Sequence, residues 1–167
     1  MCRLIAVRLW VTAVFVMLSV LHGCYDAADP APEDTETPNL DTQSDIEIRI
    51  WELVNEHRVS EGLSPLHLDS TISHIARQHS RDMATGKVPV GHAGFSERAE
   101  TIVRQMGGNS VAENVAVGYK SAEAVVSGWI SSNGHRQNIE GRYDFTGVGV
   151  DYDDDGTPYY TQLFLLR

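Results

Sequence analysis

The stretch that decides the fold class is FTGVGVDYDDDGTPYYTQLFL, residues 145–165, close to the C-terminal end. Residues 145–152 and 158–165 are rich in aromatic and β-branched side chains, a composition that favours strands. Asp155-Gly156 lies between them, and this dipeptide is typical of a tight hairpin turn. The sequence therefore predicts that the chain ends in an antiparallel hairpin.

Helical patterns come before the hairpin. Apolar side chains recur at three- and four-residue spacing in several segments, as on the buried face of an amphipathic helix. The predicted helices begin near Ser44, which has capping-box spacing to Glu47, at Asp69 or Ser70, at Ser96 and at Ser121. Residues 111–117 indicate a further short strand. Helices first and a small antiparallel sheet last predict an α+β fold rather than a doubly wound one.

The N-terminal segment, residues 1–23, is predicted to be a signal peptide of the lipoprotein type. Arg3 and Arg8 precede an apolar run over residues 9–21, which is short for a permanent span of a bilayer core about 30 Å thick. The run ends in LHGC, residues 21–24, which resembles a bacterial lipobox, although His22 departs from its usual residue. The resemblance implies an exported protein anchored in the cell envelope through a lipid on Cys24, on the periplasmic or extracellular face. A plain secreted protein is the alternative.

Residues 24–45 are predicted to form an acidic, disordered tether. From residue 25 this segment carries seven acids and three prolines, and no Lys or Arg, so it buries too little apolar surface to offset its ordering entropy. Residues 46–167 then form a single domain. The net charge of −10 becomes more negative once Arg3 and Arg8 leave with the signal, which argues against a nucleic-acid partner. A monomer is expected.

Three residues stand out as candidates for chemistry. His92 and His135 lie in glycine-flanked, non-periodic stretches, which are typical of loops that present side chains. Glu113 is a single carboxylate in an apolar, strand-like run, so it must meet a donor, a cation or a metal. His57 and His79 fall on helical apolar stripes and are predicted to be packed and hydrogen-bonded.

Eight short motifs connect these residues to a known family. They are NEHR 55–58, GLSPL 62–66, ARQHSRDM 76–83, GH 91–92, AENV 112–115, WISSNGHRQNI 129–139, GVGV 147–150 and YTQLF 160–164. In this order they resemble bacterial members of the CAP superfamily, the cysteine-rich secretory, antigen 5 and pathogenesis-related 1 proteins. The resemblance covers about residues 47–166.

The resemblance implies an α-β-α sandwich with a three-stranded antiparallel sheet and a central cleft. It also implies a tetrad of two histidines and two acids around the cleft, which in several relatives holds a divalent cation such as Zn²⁺. His92, Glu113 and His135 match three of these positions. The fourth, three residues after Trp129, is Ser132 instead of an acid. Without metal, Glu113 is expected to hydrogen-bond one or both histidines and to raise the pKa of each.

Three functions are compatible with this pattern. The leading interpretation is an envelope-tethered binding module, whose cleft takes a small lipid, glycan or peptide and holds a divalent metal through His92, His135 and Glu113. The alternative from the enzyme class is a metal-assisted hydrolase, with the same residues as its catalytic set and Glu113 as base. The third is a cell-surface interaction domain with a purely structural cluster. The Ser132 position favours binding over catalysis.

Overall fold

The computed structural model describes residues 41–167, with side chains from residue 45 onward. Its elements, in chain order, are α1 (Asp41–Ser60), β1 (His67–Leu68), α2 (Ser70–Ala84), α3 (Phe95–Met106), β2 (Ser110–Val117), α4 (Ala122–Ser131), α5 (Asn133–Ile139), β3 (Phe145–Tyr152) and β4 (Pro158–Leu166). None of the helices in this part of the chain has both the length and the apolar character needed to cross a membrane.

The sheet lies between two layers of helices. Its strand order is β1-β3-β4-β2, with β4 antiparallel to both β3 and β2. On one face α1, α4 and α5 bury Ile50, Trp129 and Ile139 against Val148 and Phe164. On the other face α2 and α3 bury Ile72 and Ile102 against Leu163 and Leu165. The predicted α+β class and the α-β-α sandwich are therefore confirmed.

The sheet has four strands, and not the three that the resemblance implied. The additional strand is β1, which pairs in parallel with the first residues of β3 through His67 and Leu68. Both of its side chains are exposed. Two residues are too few to show an alternating pattern, which explains why this strand is not evident in the sequence.

The first helix begins earlier than predicted. It starts at Asp41, so Ser44 lies inside it, and residues 41–45 are helical where an extended tether was expected. Glu47 does not complete a capping box. Instead its buried carboxylate pairs with Arg77 of α2 and accepts a hydrogen bond from the backbone N–H of Val150 at 3.0 Å. The predicted signal peptide, the lipidation site Cys24 and the tether up to residue 40 lie outside the described residues.

The helix α5 replaces a predicted loop. It has only seven residues, too few for an apolar period to be visible in the sequence. The buried guanidinium of Arg58 holds its end, donating from Nη1 to the carbonyls of Ile139 at 2.6 Å and Gly141 at 2.9 Å. Burial lowers the pKa of Arg58. His135 therefore lies on a short helix fixed to α1, and not in a flexible loop.

Helix α2 lies directly on the backbone of β3. The segment GVGV, residues 147–150, turns Gly147 and Gly149 towards the helix, and a Cβ atom at either position would overlap the helix backbone at Ile72–Ser73 or Ala76–Arg77. The absence of a side chain permits this close approach. The motif thus sets how closely the layer that carries the candidate site packs on the sheet.

Candidate functional site

Glu113 is the centre of the site. It lies on β2 with a side chain that is 1% exposed. Its Oε2 atom accepts a hydrogen bond from Nε of Arg98 at 2.8 Å, and its Oε1 atom accepts one from Nη2 at 2.9 Å. Arg98, on the first turn of α3, is 13% exposed. The sequence required a donor, a cation or a metal beside Glu113, and the structure supplies a cation, an arginine bound in the bidentate geometry that stabilises such pairs most.

His92 contacts the same carboxylate. Its Nδ1 atom lies 2.9 Å from Oε1 of Glu113, and its side chain is 54% exposed. A carboxylate already paired with a guanidinium carries its negative charge and only accepts hydrogen bonds, so Nδ1 of His92 carries the proton. In the neutral ring this leaves Nε2 as a hydrogen-bond acceptor available to a ligand.

His135 lies on α5, which is tied to the strand that carries Glu113. Two asparagines tie α5 to β2: Asn114 donates to the carbonyl of His135 at 3.1 Å, and Asn138 donates to that of Glu113 at 3.1 Å. Burial lowers the pKa of His135, and the nearby positive charge of His92 lowers it further. The expectation that Glu113 raises the pKa of this histidine is therefore wrong, because Glu113 accepts its side-chain hydrogen bonds from Arg98 and His92.

Ser132 lies between α4 and α5 and is half-buried. Its side chain makes no capping hydrogen bond to α5. It supplies neither a carboxylate nor an imidazole, so it adds no strong metal ligand at the fourth position. The structure thus joins His92 to Glu113 by a hydrogen bond and holds the backbone of His135 beside β2, near enough to His92 for their charges to interact.

These residues do not fit the three-ligand metal site that the sequence suggested. Both carboxylate oxygens of Glu113 are bonded to the guanidinium of Arg98, and a second cation beside it would meet electrostatic repulsion. Over residues 41–167 no group of three or more His, Cys, Asp or Glu side chains is arranged to hold a metal ion.

The two histidines predicted to be structural are hydrogen-bonded as expected. Nε2 of His57 lies 2.9 Å from Oε1 of Glu140, and Nε2 of His79 lies 2.8 Å from the carbonyl oxygen of Gly91. Arg98 was not identified from the sequence. The signal that pointed to it was the requirement for a partner of Glu113, and nothing in a single sequence says which basic residue meets it.

The stability of the domain should fall as the pH drops below about 6.5. Burial lowers the pKa of His79 from its ordinary value of 6.5, and the pKa of His135 is lowered too. Between the lowered pKa and about 6.5 the unfolded chain binds more protons than the folded one, so stability is full above this window and is lost below it. Urea unfolding from about pH 8 to about pH 5 measures the effect.

The matched variants are His79→Gln and His74→Gln. Glutamine keeps a donor for Gly91 but does not titrate, so the first variant should lose less stability over this range than the wild type. His74 is exposed on the same helix, and its replacement should keep the wild-type slope. Glu47 also titrates differently in the folded protein, because burial raises its pKa, but its effect on the pH dependence of stability is the same in all three proteins. Equal slopes in all three proteins would contradict the assignment to His79.

Comparisons with known proteins agree with this fold. The model of the CAP family, the cysteine-rich secretory proteins, matches residues 51–164. The Bacillus subtilis (strain 168) protein YkwD is 35% identical over 153 residues, which are 84% of this chain and 56% of YkwD. This chain thus spans about half the length of that relative.

Two solved structures superimpose on the domain. A cysteine-rich secretory protein from Staphylococcus aureus has a TM-score of 0.64 and 25% identity, covering 77% of this chain and 40% of its own. An extracellular protein containing an SCP domain, from Bacillus anthracis, has a TM-score of 0.62 and 27% identity, covering 75% of this chain and 41% of its own. The family model matches most of the domain, and these two structures have the same fold. The chain therefore belongs to the CAP, or cysteine-rich secretory protein, family.

Proposed function

We propose that this chain is an exported binding module that presents the imidazoles of His92 and His135 to a small ligand, without a bound metal. The ligand carries hydroxyl or amide groups, as the glycans and peptides of a cell envelope do. Export is supported by the apolar N-terminal run and by the likeness to an extracellular SCP-domain protein. The lipid on Cys24 belongs to this proposal, as the anchor that holds the domain at the membrane.

The observation that carries the proposal is that both carboxylate oxygens of Glu113 already accept hydrogen bonds. Each oxygen of this carboxylate, whose side chain is 1% exposed, already accepts a hydrogen bond from Arg98, and Oε1 accepts a second from His92, so coordinating a metal or activating water would disturb these bonds. It acts instead as the fixed acceptor that orients the His92 ring. We therefore favour binding over metal-assisted hydrolysis, for which Glu113 would have to leave Arg98.

The ligand class follows from the groups that face solvent. His92 offers Nε2 as an acceptor, and His135 stays neutral near pH 7 because its pKa is lowered. An imidazole nitrogen that carries no proton recognises O–H and N–H groups by accepting a hydrogen bond from them. A saccharide with attached peptide presents both kinds of group on one small molecule.

Muramyl dipeptide, which has a sugar and a short peptide, is the compound to test. Its addition should shift the ring resonances of His92 and His135 in NMR spectra of the domain. His92→Ala and His135→Ala should each weaken binding about tenfold, the equivalent of one hydrogen bond of about 1.4 kcal/mol. The matched control is His67→Ala, because His67 is exposed on β1 at the opposite edge of the sheet from β2, and it should bind like the wild type.

Two results would contradict the proposal. One is binding to phosphatidylcholine vesicles but not to muramyl dipeptide, which would indicate a lipid binder. The other is a rise in melting temperature with zinc that disappears in both His92→Ala and His135→Ala. A metal at 100 times its Kd adds about 2.7 kcal/mol to the free energy of unfolding, so even modest zinc affinity would be visible.

A further inference from the structure

The backbone that carries His92 is fixed on both sides of that residue. The carbonyl of Gly91 accepts a hydrogen bond from Nε2 of His79 at 2.8 Å. The carbonyl of Ala93 accepts one from Nη1 of Arg98 at 2.7 Å. Between them the carbonyl of His92 accepts from the backbone N–H of Phe95 at 3.1 Å. Three successive carbonyls are thus held by donors from α2 and α3.

This fixation matters because the His92 ring has little packing of its own. The side chain is 54% exposed, and its one hydrogen bond among the described residues is to Glu113. Gly91, the residue before it, has a φ angle of 135°, a backbone conformation that residues other than glycine rarely adopt. The direction of the ring therefore depends on the loop backbone, which the donors from α2 and α3 hold.

We infer that His79 and Arg98 are positioning residues for His92, which hold its backbone so that the ring meets Glu113 and presents Nε2 to a ligand. The inference rests on the proposed role of His92 in binding. It gives a second role to His79, which the sequence indicated only as a packed residue. It also gives one to Arg98, whose guanidinium binds the carboxylate and the loop carbonyl at once.

The chemistry of His79 agrees with this role. A carbonyl oxygen only accepts, so Nε2 of His79 carries the proton in its bond to Gly91. His79 is 3% exposed, and His79 and Arg98 line the same cavity of about 290 Å³ between α2 and α3. Burial and the charge of Arg98 both lower the pKa of His79, which keeps this ring neutral beside the guanidinium.

NMR of the histidine ring nitrogens tests the inference on the full exported domain without any ligand. In the wild type, His92 should show a single tautomer with the proton on Nδ1. In His79→Ala the loop loses a donor, and the nitrogen shifts of His92 should move towards the average of the two tautomers. In His79→Gln the side-chain amide can donate to Gly91, and the wild-type pattern should return.

The control and the second variant keep the result decisive. His74→Ala, an exposed change on the same helix, should leave the His92 signals unchanged. If His79→Ala does not fold, His79→Asn, whose amide is too short to reach Gly91 from the same position, replaces it. A folded variant without the donor in which His92 keeps the wild-type tautomer overturns the inference. Because this measurement uses no ligand, failure of muramyl dipeptide to bind would count against the proposed function alone.

Discussion

Replacing Glu113 with glutamine should lower the free energy of unfolding by about 3–5 kcal/mol. Glutamine has the same shape, but it removes the negative charge that faces Arg98, whose side chain is 13% exposed. The guanidinium then remains in a largely buried place without a counter-ion, and its desolvation is no longer offset. Chemical denaturation of the wild type and the variant measures the difference.

The control for this prediction is Glu123→Gln. Glu123 also pairs with an arginine, Arg49, but both side chains are exposed, so this change should lower the stability far less than Glu113→Gln does. Adding Arg98→Met to Glu113→Gln should recover most of the lost stability, because the pair is then removed together. If Glu113→Gln is as stable as the wild type and loses a hydrolytic activity, Glu113 is a base. The proposal that this carboxylate is the fixed acceptor for Arg98 and His92 is then wrong.

Replacing Gly149 with alanine should cost about 3 kcal/mol or more, at the upper end of the cost of overpacking. The added Cβ atom would overlap backbone atoms of Ala76 and Arg77 in α2, and backbone cannot rotate away as a flexible side chain can. The helix must then move off β3 over its length, and this helix also carries His79. Thermal unfolding should show the loss, and the His92 ring signals should broaden with it.

The same substitution elsewhere should have the opposite sign. Gly134 lies in α5, and a Cβ atom there would meet nothing within 4 Å. Alanine at this position should stabilise the domain by up to about 1 kcal/mol, since it reduces the freedom of the unfolded chain and favours the helix. Equal effects of Gly149→Ala and Gly134→Ala would show that close approach of α2 to β3 is not what the glycine permits.

Most of the elements were predictable because their signals are local. The stripe from Ile72 to Met83 predicts α2, and Asp69, which caps it through hydrogen bonds to the N–H groups of Thr71 and Ile72, marks its start. Asp155-Gly156 predicts the hairpin of β3 and β4 in the same way. By contrast β1 has two residues and α5 has seven, so neither has a clear local signal. The strand β1 is held by pairing with β3, and α5 is held by Arg58 of α1.

The candidate site was likewise predictable only in part. Glycine-flanked stretches indicate His92 and His135, an apolar strand-like run indicates Glu113, and the resemblance to the family connects the three. The roles given to them changed, because His135 has a lowered pKa and Glu113 is already paired. His79 belongs to a regular helical stripe, so its sequence context indicates a packed residue and hides its bond to the loop before His92.

The sequence by itself determined that this chain has an α+β domain and that the carboxylate of Glu113 needs a partner, since apolar neighbours on a strand predict burial and a buried charge must be compensated. Only the tertiary structure decided which partner that is. Arg98 and Glu113 are 15 positions apart, and the packing of α3 beside β2 brings them within 2.8 Å. The separation of two residues along the chain does not tell how far apart they lie in space. Only the folded domain therefore shows that the partner of Glu113 is an arginine.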